Sequence, residues 1–280
     1  MMGGKNGGKR IGFIGGGNMT LAIAGGLLKS GYPGALIKVS EPIAEQRLRL
    51  SKVLADVDIG ADNVALTGNV DCLVLATKPQ VLGQVCAQIA AAVQRRKPLL
   101  VSIAAGVRSR AISSWLGGGL AVVRVMPNQP ALLGLGASAL FANEQADADD
   151  RALAAKIMAA VGQLVWVRDE ADIDVVTAIS GSGPAYFYLL IDMLIKTATD
   201  MGLDDATART LAVQTALGAA ALAADCDSTM DELIALVRSP GGTTAAALER
   251  LEQHGVRAIF ATALRAARDR AVLLADEAEQ

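Results

Sequence analysis

The stretch Arg10–Thr20, R-I-G-F-I-G-G-G-N-M-T, decides the fold. Arg10 to Gly15 is a short apolar run ending in glycine, and from about Asn18 to Lys29 the spacing of apolar residues turns helical. A G-x-G-x-x-[G/A] pattern is informative only between a strand and a helix, and Gly15, Gly16, Gly17, Asn18 and Met19 stand in that context. Gly15 permits the tight turn, and Gly17 lets the backbone approach a pyrophosphate. The unpaired N–H groups and dipole of the helix beyond favour the phosphate charge. Thr20 takes the last position, where a smaller Gly or Ala is usual.

Working outward, further strands are expected at Ala35–Ser40, Cys72–Thr77, Leu99–Ala105, Ala121–Met126, Ala137–Ala142 and Gln163–Val167. Cys72–Thr77 is the unbroken apolar run of a strand covered on both faces. Helical segments lie between them, at Ala44–Leu54 and from Pro79 to about Val93. Strands alternating with helices imply βαβ units and a parallel sheet, hence an α/β fold with a Rossmann-like, doubly wound sheet. After Asp169 no convincing strand remains, and Ala/Leu-rich helices are separated by breaks at Gly181–Pro184, Gly202 and Ser239–Gly242. Pro184 is expected in the first turn of a new helix, and Leu211–Ala224 as a buried helix. The expected division is a flexible leader at 1–9, a dinucleotide-binding domain at 10–168 and an all-α, dimerising domain at 169–280.

Composition excludes several function classes. With 26 basic against 28 acidic residues the net charge is -2, so there is no basic footprint for a nucleic acid. A single histidine, His254, removes His-rich metal sites and leaves at most one candidate for a triad; no metal is expected. His254-Gly255 itself reads as a helix C-terminus. Cys72, Cys86 and Cys226 form no C-x-x-C pair and fit a reducing compartment. The leader lacks an apolar signal core, and no uncharged apolar run reaches the roughly 18 residues of a membrane span, so the protein is expected in the cytoplasm.

Cofactor type is read at Ser40-Glu41-Pro42, after the second strand. A carboxylate there holds the ribose 2′-OH of NAD and repels the 2′-phosphate of NADP. Glu41 stands in that place but equally reads as a solvated charge at a helix start. Ser40 is able to bond a phosphate, and Arg47 and Arg49 follow, so NADH and NADPH both stay open. Ala76-Thr77-Lys78-Pro79 ends a buried strand, where ligands of open α/β sheets collect. Ser180–Pro184 and Ser239–Thr244 each place hydroxyls and free N–H groups at a helix start, which favours a carboxylate.

Taken in order, GFIGGGNM, ATKPQ, VSIAAGV, VRVMPNQP, ISGSGPAY and SPGGTT resemble the pyrroline-5-carboxylate reductases over about Arg10 to Arg270. The resemblance implies a dinucleotide-binding domain followed by a helical domain interlocked with its partner in a homodimer. It also implies hydride transfer from NADPH or NADH to 1-pyrroline-5-carboxylate, giving L-proline. Transferred by motif, the cofactor residues are Gly15, Gly16, Gly17, Asn18, Met19, Ser40, Asn63, Ala76, Thr77, Lys78 and Pro79. Ser239, Gly242, Thr243 and Thr244 are implied at the substrate carboxylate, with the Thr244 hydroxyl beside the imine nitrogen. One departure is Asn128-Gln129-Pro130, where the family commonly has Asn-Thr-Pro. Two other readings stay open: a reductase of another small acid or imine, of the β-hydroxyacid dehydrogenase kind, and a non-catalytic dinucleotide-binding regulator.

Overall fold

Cys72–Leu75 is buried at all four positions, as its unbroken apolar run demands. It lies inside an eight-stranded sheet in the computed structural model, which describes residues 8–278. The flexible leader expected at 1–9 lies almost wholly outside the described residues. In chain order the first elements are β1 (Ile11–Ile14), α1 (Asn18–Lys29), β2 (Ile37–Ser40), α2 (Ala44–Ser51), β3 (Asp58–Gly60), α3 (Asn63–Thr67) and β4 (Cys72–Leu75). They continue with α4 (Pro79–Arg96), β5 (Leu99–Ser102), α5 (Ser109–Trp115), β6 (Val122–Met126), β7 (Gly136–Ala142), α6 (Ala148–Ala159) and β8 (Gly162–Trp166). The helices α7 (Asp172–Val176), α8 (Gly183–Asp200), α9 (Asp205–Ala224), α10 (Met230–Val237), α11 (Thr243–Gln253) and α12 (Val256–Ala278) follow.

The strand order is β3-β2-β1-β4-β5-β6-β7-β8. Strands β1 to β6 are parallel, and β7 runs antiparallel to β6 before β8 pairs parallel to β7. Ile14 is in register with both Ser40 and Leu75, so β1, β2 and β4 end level with one another. Between β1 and β4 the order reverses, and ligands of open sheets settle at that reversal. Apolar cores cover both faces, one including Phe13, Ile23, Val74 and Ile157, the other Leu73, Leu82, Ile89 and Ile112.

Several expectations change. β3 was not anticipated: three residues at a sheet edge, none of them buried, leave no apolar periodicity to read. The sheet is mixed, because a 3-10 turn at Gln129–Leu133 sends the chain back alongside β6. At Gly181–Pro184 the helix is interrupted as expected: Ser182 is a bend, and α8 opens at Gly183 with Pro184 in its first turn. A π turn at Thr177–Gly181 joins α7 to α8, with Ser182 N–H donating to Thr177 O at 2.8 Å. Pro184 has no N–H for the Ser180 carbonyl four residues back. Asn128 Nδ2 donates to that carbonyl instead, at 3.1 Å.

By packing, the chain forms two compact units that meet after Ser182. One unit runs through Ser182 and resumes at Ala267, and the other is Gly183–Ala266. Arg124 on β6, 2% exposed, pairs with Glu170 at 3.5 Å and Asp174 at 3.4 Å, which keeps α7 with the sheet. The end of α12 belongs to the same unit through Arg108 and Asp276, 3.0 Å apart. In the second unit α8 packs on α9. The expected burial of Leu211–Ala224 is not met within one chain: Leu211, Leu217 and Leu222 are exposed, and only Ala208 and Ala212 of α9 are buried. The helical run Asp172–Asp200 is long and apolar enough to cross a membrane by length and composition, yet buried Asp174 ties its start to Arg124.

Candidate active site

β1 passes into Gly15, where φ is +102° and a Cβ would lie 2.7 Å from the carbonyl oxygen of Ala76, the residue after β4. Only glycine combines that conformation with that approach. Thr20, at the position expected to be smaller, is fully buried and donates its hydroxyl to Gly15 O at 2.6 Å. The hydroxyl thereby braces the turn. Gly17 is the N-cap of α1 in extended conformation, no side chain caps the helix, and nothing lies within 4 Å of a Cβ built there. The helix start is therefore open to an anion.

This turn forms one wall of a cavity of about 800 Å³ that also takes in Glu41, Pro42, Gln46, Asn63, Ala76, Thr77, Lys78 and Gln88. Buried Gln46 Oε1, Asn63 Oδ1 and Thr77 Oγ1 have no hydrogen-bond partner in the protein. Three orphan polar atoms in one cavity are what a polar ligand would satisfy. Asn63 opens α3 behind the N-cap Asp62, and its Nδ2 donates to Gln88 Oε1 at 2.9 Å. Lys78 is the N-cap of α4, with Pro79 in the first turn. Shape, orphan atoms and open helix start fit a dinucleotide.

Of the residues expected around the cofactor, the cavity brings together Gly15, Gly16, Gly17, Asn63, Ala76, Thr77 and Lys78. Asn18 is beside it, its Oδ1 accepting from Arg49 Nη2 at 2.9 Å. Met19 packs on the core and Pro79 lines a different pocket. Ser40 is not in the cavity. It is 1% exposed and lines a separate cavity of about 200 Å³ near Asp58 and Asn69. Successive residues of a strand face opposite sides, so Ser40 turns away where Glu41 turns in. Glu41 is no solvated charge: it is buried and accepts from the N–H groups of Gly16 and Ile43. Sequence reading missed Gln46. Its signal is its place in the first turn of α2, directly after the β2 turn.

In the second unit, α10 begins with a capping box between Thr229 and Glu232 and gives way to a turn at Ser239–Gly242. Gly241 has φ +69°, and Gly242 N–H donates to Ser239 O at 3.0 Å. A Cβ on Gly242 would lie 2.5 Å from Ser239 Oγ, so glycine there lets this hydroxyl lie over the start of α11. No side chain caps α11. Ser239 and Thr243 are exposed and Thr244 is half-buried in its first turn. Such a start binds carboxylates through N–H groups and dipole. The other hydroxyl-rich turn, Ser180–Pro184, offers no such start, because the π turn uses Ser182 N–H. His254 caps the C-terminus of α11 and Gly255 follows at φ +69°. Among the described residues no group of His, Cys, Asp or Glu is arranged to hold a metal.

A family model described as pyrroline-5-carboxylate reductase dimerisation matches residues 170–274, and one described as NADP oxidoreductase, coenzyme F420-dependent, matches residues 10–106. The pyrroline-5-carboxylate reductase of Pseudomonas aeruginosa is 44% identical over 97% of this chain and 98% of its own length. That of Pisum sativum is 35% identical over 93% and 94%. The solved Coxiella burnetii pyrroline-5-carboxylate reductase superposes with a TM-score of 0.90 at 40% identity, over 95% of this chain and 98% of that one. A Plasmodium falciparum pyrroline carboxylate reductase with NADP bound gives 0.84 at 28% identity, over 95% and 98%. On identity, coverage and fold, the chain belongs to the pyrroline-5-carboxylate reductase family.

Proposed function

We propose that this protein is a cytoplasmic, homodimeric reductase that adds hydride and a proton across the C=N bond of 1-pyrroline-5-carboxylate, giving L-proline. The observation that carries the reading is the cavity at the sheet reversal, where an open helix start meets the orphan atoms of Gln46, Asn63 and Thr77. The names of the relatives supply the substrate, and the dimerisation model over residues 170–274 supports a homo-oligomer.

When bound, NADPH or NADH supplies the hydride. The N–H groups at the start of α1 hold the pyrophosphate, and Asn63 and Thr77 meet polar groups of the nucleosides. At the start of α11, backbone N–H groups and the hydroxyls of Ser239 and Thr243 hold the substrate carboxylate. Thr244 Oγ1 is too weak an acid to give up its proton outright near neutral pH, so it orients the imine nitrogen and relays a proton from water. An imine with a proton on nitrogen is already electrophilic. The protein's part is then position and electrostatics, and orientation alone supplies up to about 7–11 kcal/mol. Imidazole is not needed.

Steady-state turnover of pyrroline-5-carboxylate with NADPH and with NADH tests the reading, the expected result being proline formation. No turnover with either nucleotide refutes it.

A further inference from the structure

Glu41 stands where a carboxylate after the second strand of a dinucleotide fold usually meets the adenosine ribose. Here its oxygens are engaged by the protein. Oε2 accepts from Gly16 N–H at 2.7 Å and Oε1 from Ile43 N–H at 2.9 Å. The two N–H groups belong to different segments, one after β1 and one after β2, so the carboxylate ties the two turns together. Its side chain also lies across the glycine loop: a Cβ on Gly16 would be 3.0 Å from both Cβ and Cγ of Glu41. From the other side Arg47 Nη1 donates to the carbonyl oxygens of Glu41 and Pro42, each at 2.8 Å. Gly15 N–H donates to Ser40 O, also at 2.8 Å.

We propose that Glu41 is a positioning residue that locks the phosphate loop in the shape a pyrophosphate requires, and that it does not select between NADH and NADPH. The inference rests on the reading of the cavity as an NAD(P)H site. Each oxygen keeps a second lone pair, but a bidentate grip on the ribose diol would turn both oxygens off these N–H groups. Turning them outward would strip the buried Gly16 N–H and the Ile43 N–H of their acceptors, and an unpaired buried donor costs at least as much as a new bond returns. With the clamp in place the loop is preorganised, and binding does not spend affinity on ordering it. Both nucleotides share the pyrophosphate, so both depend on the clamp equally.

The test is a fluorescence titration of NADPH and of NADH with the wild type, Glu41→Ala, Glu41→Gln and Gly16→Ala, alongside a thermal melt of each. Glu41→Ala is expected to raise both Kd values about tenfold, with their ratio moving by less than about twofold. Glu41→Gln, of the same shape and with one oxygen acceptor, recovers part of the loss for both nucleotides. It carries the test if the alanine variant fails to fold. Gly16→Ala presses on Glu41 Cβ and Cγ as well as on the flexible end of Leu50 at 2.7 Å, and its double variant with Glu41→Ala falls short of the summed effects. A loss confined to NADH, or tighter NADPH binding, makes Glu41 a ribose reader and overturns the proposal. So does a lowered melting temperature with unchanged Kd values, which marks a purely structural role. A folded wild type that binds neither nucleotide overturns the functional reading itself, and the clamp with it.

Discussion

Replacing Gly17 with valine separates nucleotide binding from folding. Its φ and ψ are −72° and −176°, a conformation open to any L-residue, and nothing in the protein lies within 4 Å of a Cβ there. The folded chain is therefore expected to tolerate Gly17→Val within about 1 kcal/mol, a melting-temperature change below about 3 °C. The added methyl groups project where the pyrophosphate must approach the start of α1. Pushing that group out of reach removes about two charge-assisted hydrogen bonds of about 1.5 kcal/mol each, or about 3 kcal/mol, which raises Kd about 100-fold. The neighbouring Gly15→Ala should behave in the opposite way, because it forces φ +102° on alanine and sets its Cβ 2.7 Å from the Ala76 oxygen. That change is expected to lower stability before it affects affinity. NADPH fluorescence titration and a thermal melt of both variants decide the matter. A Gly17→Val protein with wild-type Kd refutes the placement of the pyrophosphate, and one that loses its fold refutes the open surround read at Gly17.

Three further outcomes follow from the geometry. Thr244→Ala is expected to lower kcat about 100-fold and leave the Kd for NADPH nearly unchanged, while Thr244→Ser keeps most of the turnover; steady-state kinetics with pyrroline-5-carboxylate read both. Asn128→Ala removes the donor to Ser180 O and the acceptor of Ala137 N–H, and should cost about 2 kcal/mol in urea unfolding. Burial pushes the Cys86 thiol up to about 12 and the Cys72 thiol further still, with nearby Asp150 and Asp71 adding to the latter. A raised thiol pKa keeps the unreactive protonated form through pH 8. A thiol reagent at that pH should therefore modify exposed Cys226 alone in the native protein, and all three cysteines after denaturation.

What the sequence disclosed was local. The glycine turn, the buried run Cys72–Leu75, Pro79 at a helix start and the Gly241-Gly242 turn each announce themselves within a few residues, because turn chemistry and apolar runs act at short range. Side-chain roles set by register were not disclosed. Ser40 and Glu41 are neighbours, and which of them enters the cavity depends on the pleat of β2 and its alignment with β1, a choice that one residue reverses. Gly16 and Glu41 are 25 positions apart, so their hydrogen bond exists only after the sheet has formed.

The stretch Ser180–Pro184 shows the same limit from the other direction. Glycines followed by proline are local grounds for a break, and in a short peptide the Ser180 carbonyl would have to turn to water. In the folded chain that carbonyl finds Asn128, 52 positions away, so a long-range donor satisfies the group that the local break leaves open. The π turn at Thr177–Gly181, with its backbone bonds shifted by one residue, ends at the bend at Ser182. Asn128 in turn is held by Ala137 N–H from the strand after the 3-10 turn, so two stretches that looked independent in the sequence are joined through Asn128 and Ser180. Exchanging Asn128 for any residue without an amide should therefore disturb the helix at Ser180 as much as the turn it sits in.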